Sequence, residues 1–89
     1  MANKRSVHGH FYKCLGKAIA ERRKRLHLSQ QELAEGSGVN RAFLSNVEQG
    51  KRNPSIGAVV SIAQGLRMRV SRLLVKCEEC VRDESERAS

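Results

Sequence analysis

Aromatic side chains are nearly missing from this 89-residue chain: no tryptophan, and only Phe11, Tyr12 and Phe43. So small a set argues against stacking platforms for single-stranded nucleic acid. No stretch of about 18 apolar residues occurs, so a membrane-spanning helix is not expected. The basic helices also lack the bulky aromatic flanks of a membrane-surface segment. MANKRSVHGH has no apolar central run of a secretory signal, which predicts a cytoplasmic protein. Cys14, Cys77 and Cys80 are then expected as thiols, and their odd number fits. A GxSxG turn, a phosphate loop, and a nucleophile beside His and Asp are all missing, so no enzyme is expected. Neither strand alternation nor an internal repeat is visible.

Acidic residues are few: 9 against 17 Lys and Arg, for a net charge of +8 and a pI near 10.1. Residues 1–77 hold 15 basic and 4 acidic groups, net +11, and residues 78–89 hold 2 and 5, net −3. A basic body of this kind attracts a polyanion. The length allows one small domain burying roughly 60–65% of its unfolded surface, with no room for an effector domain or a ligand-sized pocket. No small-molecule partner and no cofactor is therefore expected.

What the chain has in quantity is helical periodicity. Phe11, Leu15, Ala18, Ile19 and Leu26 recur at three- and four-residue spacing, predicting a first helix over 11–26. Ser29 with Glu32 forms a capping box for a second helix, and Asn40 caps a third. Pro54-Ser55 opens a fourth, carrying Ile56, Val59, Ile62, Ala63 and Leu66. A fifth starts near Val70, with Leu73, Leu74, Cys77 and Val81 on one stripe. Residues 1–9 and 82–89 have too little apolar surface to order themselves. The expected organisation is a flexible basic N-terminus over 1–9, an all-α domain of five helices over 10–81, and a disordered acidic tail over 82–89.

The segment QQELAEGSGVNRAFLSNV, residues 30–47, carries the functional signal. Leu33, Val39, Leu44 and Val47 are apolar, Ala34 permits a close helix crossing, and Gly38 sits where the chain must turn with a positive φ. That is the pattern of two short helices joined by a tight turn. The second presents Arg41, Ala42, Ser45 and Asn46 outward, side chains suited to base edges in a major groove. Arg41, in the first turn, is expected on guanine, with a phosphate as the alternative. Asn46 fits adenine, a phosphate or solvent. Ala42 and Ser45 fit a thymine methyl or a base edge, and Phe43 an anchor in the core or a place beside the DNA backbone. Asn40 and the loop residues Lys51, Arg52 and Asn53 are expected on phosphates.

LHLSQQELAEGSGVNRAFLSNVEQGKRNPS resembles the signature of the lambda repressor and Cro family, the XRE-type helix-turn-helix regulators, over about residues 12–75. Its style is similar to that of phage regulators and restriction-modification controllers. The resemblance implies a lambda-repressor-like five-helix domain that binds double-stranded DNA as a homodimer and regulates transcription. It also implies that Gln30 contacts a phosphate and braces the recognition helix, and that Arg23 forms a buried ion pair with Glu48. His27 and Arg67 stand where the family has Gly, and Gly36 lies inside the second helix. The stripe Val70, Cys77 and Val81 is expected to form the dimer interface. Cys77 and Cys80 with His8 and His10 form a weak metal pattern, and no metal is expected. The rival reading is an antitoxin-like or other protein-interaction module whose C-terminal segment binds a protein partner.

Overall fold

The structure, a computed structural model, describes the backbone of residues 2–88 and the side chains of residues 9–87. Five helices follow in order: α1 Ala2–Arg25, α2 Gln30–Ser37, α3 Arg41–Glu48, α4 Ile56–Gly65 and α5 Val70–Ala88. Among the described residues no strand occurs. The fold is all-α.

The ends of the short helices are set locally. Ser29 Oγ accepts from the Glu32 amide at 3.0 Å while the Glu32 carboxylate accepts from the Ser29 amide at 2.8 Å, closing the capping box. Gly38 ends α2 at φ 72°. His27 and Arg67 take φ 60° and 56°, the left-handed turns that glycine would adopt without strain. Arg22 steadies the second of these turns, donating to the Leu66 and Arg67 carbonyls at 3.0 and 3.2 Å.

Leu15, Ile19, Leu33, Leu44, Val47, Ile62, Leu66 and Leu73 form one core, each at most 1% exposed. α1 packs against α3 and α5, and α2 against α3 and α4. Gly16 sets the α1–α3 spacing, because a Cβ there would run into the carbonyl oxygens of Val47 and Glu48. The recognition helix therefore lies directly against the α1 backbone.

Four expectations are corrected. First, α1 begins at Ala2 rather than near residue 11. No proline or helix-stopping cap interrupts residues 2–10, and adding residues to an existing helix requires no new nucleus. Second, α5 runs on to Ala88 instead of giving way to a disordered tail after Arg82. Tertiary contacts hold it: Glu84 pairs with His10 at 2.8 Å and with Lys17 at 3.6 Å, both on α1.

Third, the cysteines are not all thiols, because a disulfide joins Cys14 on α1 to Cys80 on α5 across 66 residues of sequence. The packing of α1 on α5 brings their Cα atoms to 5.7 Å, within bonding reach. Fourth, Val70 and Cys77 are not left over from the core for an interface between copies. Cys77 is fully buried, Val70 packs against the core, and Val81 is half-buried. Burial, and next the Glu78 charge, pushes the Cys77 thiol up to about 11, so it is protonated and unreactive near neutrality. Among the described residues, the large apolar side chains left exposed are Ile56, Val60 and Val75.

Candidate nucleic-acid interface

Leu44 and Val47 are buried, which fixes the rotation of α3 about its axis and decides what its other side presents. Arg41 and Ala42 are exposed, and Ser45 and Asn46 half-exposed. Asn40 Oδ1 accepts from the Phe43 amide at 2.7 Å, so its carbonyl group caps α3 and its NH2 is left to donate to an outside partner. Arg41, Ala42 and Ser45 meet Gln30, at the start of α2, around a shallow depression of about 260 Å³. Ser45 Oγ accepts from Gln49 Nε2 at 3.1 Å. Gln49, exposed beside this face, was not singled out in the sequence.

Glu48, the acid at the end of α3, has both carboxylate oxygens engaged. Arg23 donates to both carboxylate oxygens, Nε to Oε2 at 2.8 Å and Nη2 to Oε1 at 3.0 Å, and Nη1 reaches the Leu28 carbonyl at 2.9 Å. Gln30 Nε2 adds a third donor to Glu48 at 3.0 Å. The side chains of Arg23 and Glu48 are 12% and 6% exposed, so this is a mostly buried pair. The hydrogen bond to Glu48 raises the Arg23 pKa against the opposing effect of burial. Three elements are thereby joined, α1 through Arg23, α2 through Gln30 and α3 through Glu48. Gln30 thus braces the recognition helix through a side chain, and one amide hydrogen and its carbonyl oxygen remain for an outside partner.

Beyond α3, Lys51, Arg52 and Asn53 are exposed on the loop to α4. The Arg52 guanidinium lies 5.4 Å from the centroid of Phe43, a cation–π contact that holds the loop to the recognition helix. Phe43 itself is half-buried and packs against the core, the anchoring place open to it from the sequence. Arg41, Lys51 and Arg52 thus stand on or next to α3, whose own acid, Glu48, is matched by Arg23. Among the described residues no helix is long and apolar enough to cross a membrane.

Comparisons with known proteins agree with this geometry. A family model described as helix-turn-helix matches residues 19–73. An HTH-type transcriptional regulator of Mycobacterium tuberculosis is 41% identical over 61 residues, 68% of this chain and 44% of that protein, so the match spans less than half of the relative. The crystal structure of the restriction-modification controller protein C.AhdI of Aeromonas hydrophila is 32% identical, with a TM-score of 0.68 over 70% of this chain and 94% of the other. The clp gene regulator ClgR of Corynebacterium glutamicum shares the fold, with a TM-score of 0.83 at 24% identity over 88% of this chain and 83% of the other. With a capped α2, a glycine turn, an α3 fixed by Leu44 and Val47, and the family model covering these elements, the chain belongs to the XRE-type helix-turn-helix family.

Proposed function

We propose that this protein binds double-stranded DNA sequence-specifically, as a homodimer on an inverted repeat, and regulates transcription from it. The observation that carries this reading is the group of Gln30, Arg41, Ala42 and Ser45 around one depression at the N-terminal end of α3, where a recognition helix enters the major groove. Arg41 reads a base edge from that position, with Ala42, Ser45 and Asn46 beside it. Asn40, Gln30, Lys51, Arg52 and Asn53 then meet the flanking phosphates. The net charge of +8 supplies the attraction, and the engagement of Glu48 removes the charge that would oppose it. Binding to the genome entails an intracellular location.

Selection from random duplexes tests the reading and yields half-site and spacing together. On the recovered site Arg41→Ala is expected to weaken binding by about 1–3 kcal/mol and to relax preference at one position. Lys51→Ala is expected to weaken binding to every duplex alike and to lower the salt slope by about one unit. Equal loss on all sequences for Arg41→Ala removes it from base reading, and an unchanged salt slope removes Lys51 from the interface.

A dimer is supported by the need of one short helix for a second copy about 34–36 Å away on the duplex. Exposed apolar side chains on α4 and α5 give it a surface, Ile56 at 69%, Val60 at 36% and Val75 at 43%. Cys77 belongs to the core and is not part of that surface. Sedimentation is expected to show a dimer at micromolar concentration. The double variant Val60→Asp/Val75→Asp is expected to be a folded monomer that retains only non-specific affinity. Wild-type protein that stays monomeric both free and on its site overturns the dimer.

A further inference from the structure

Cys14, Cys80 and Glu84 meet where α1 packs on α5, and His10 lies against Glu84. His10 and Cys14 are four residues apart on α1, and Cys80 and Glu84 four apart on α5, so each helix offers two donors on one face. The sulfurs of Cys14 and Cys80 and a Glu84 oxygen lie within 4.8 Å of one another. Cys80 Sγ is 3.8 Å from Glu84 Oε2, and His10 Nε2 is 2.8 Å from Glu84 Oε1. A groove of about 280 Å³ opens on the two cysteines and Glu84. We propose that, with the Cys14–Cys80 bond reduced, His10, Cys14, Cys80 and Glu84 bind one zinc ion between α1 and α5.

The donor set suits that ion. Two thiolates, an imidazole and a carboxylate are ligands zinc takes in tetrahedral sites, whereas magnesium and calcium require oxygen. With Zn–S bonds of about 2.3 Å, tetrahedral sulfurs stand about 3.7 Å apart. Side-chain rotation separates them that far once the bond opens, and the Cα spacing of 5.7 Å stays compatible. Two thiolates and a carboxylate outweigh the dication by one negative charge. Lys17, 3.6 Å from Glu84 Oε2, is placed to offset it.

The chemistry balances with a dithiol as reductant. It delivers two electrons and two protons to the sulfurs and is itself oxidised to a disulfide. Zinc then displaces both thiol protons. The same two helices are therefore joined by a covalent bond under oxidising conditions and by the ion under reducing ones. Cys77, although three residues from Cys80, is not a ligand, because it packs into the hydrophobic core cluster, which Cys14 does not join, and does not gather with the other donors. The side chain of His8, which the sequence also offered, lies outside the described residues.

The test uses the full chain, reduced with a dithiol, desalted without oxygen and titrated with cobalt(II). One equivalent is expected to give a thiolate-to-cobalt charge-transfer band with the visible bands of tetrahedral cobalt, and zinc to bleach both. Cys14→Ser is expected to abolish the bands and Cys77→Ser to leave them unchanged. In competition with a chromophoric chelator, His10→Ala and Glu84→Gln are each expected to weaken zinc at least about 10-fold, since even supporting groups of a metal site contribute about that much. Circular dichroism checks that these variants fold. Absence of the bands in the reduced wild type overturns the site, as does zinc affinity within about twofold of wild type in either the His10 or the Glu84 variant.

Discussion

Glu48→Ala is expected to destabilise the fold by about 3–5 kcal/mol, because it leaves the Arg23 guanidinium mostly buried with no counter-charge. The structure gives the change this weight through geometry: Arg23 donates twice to Glu48 and Gln30 once, with Glu48 only 6% exposed. A domain of this size is stabilised by roughly 5–13 kcal/mol in all. At about 4–8 °C per kcal/mol, the melting temperature falls by more than about 12 °C. Glu48→Gln retains hydrogen-bond acceptance and lacks the charge, so its loss is smaller than that of the alanine variant. A melt of Glu48→Ala within about 1 kcal/mol of wild type would mean that solvent compensates Arg23 as it does at a surface pair. Because the same carboxylate joins α1, α2 and α3, the variant is also expected to loosen the recognition helix, seen as faster amide exchange along residues 41–48 at temperatures below the melt.

The second large effect is expected from opening the Cys14–Cys80 bond. Its sulfurs close a loop with a sequence separation of 66, for which restriction of the unfolded chain alone gives about 4 kcal/mol. Urea unfolding of oxidised and reduced protein, in buffer containing a chelator so that no metal substitutes for the bond, measures the difference. Cys14→Ser and Cys80→Ser are expected to melt near the reduced protein and to be insensitive to reductant. A difference under about 1 kcal/mol would show that packing of α1 on α5 fixes these helices without the bond. Thiol exchange does not blur the comparison while the protein is folded, since Cys77 is buried and, with its pKa pushed up to about 11, protonated at neutral pH.

Much of this protein is determined by local sequence. Caps at Ser29, Asn40 and Ser55, the turn at Gly38, and apolar spacing fix four of the five helix starts and the inward side of each short helix. These signals act over three or four residues, so they are legible without a fold. Arg41, Ala42, Ser45 and Asn46 are placed by the same means, because once Leu44 and Val47 face inward the remaining positions of α3 must face out. Arg23 with Glu48 was legible only through family resemblance, since nothing in a spacing of 25 residues indicates a contact.

What depended on tertiary structure is the pairing of distant elements. Composition marks residues 82–89 as too polar to order, yet α5 extends to Ala88 because Cys80 and Glu84 find partners on α1. Cys77 and Cys80 look alike in sequence, three residues apart on one helix, but the packing angle of α5 sends the first into the core and the second to Cys14. Gly16 carries no local signal, and its role follows only from α3 lying across it. Local spacing specifies the helices and the face each buries. Which helix a face meets is set by how all five share one core, a global balance of packing that no short window of sequence contains.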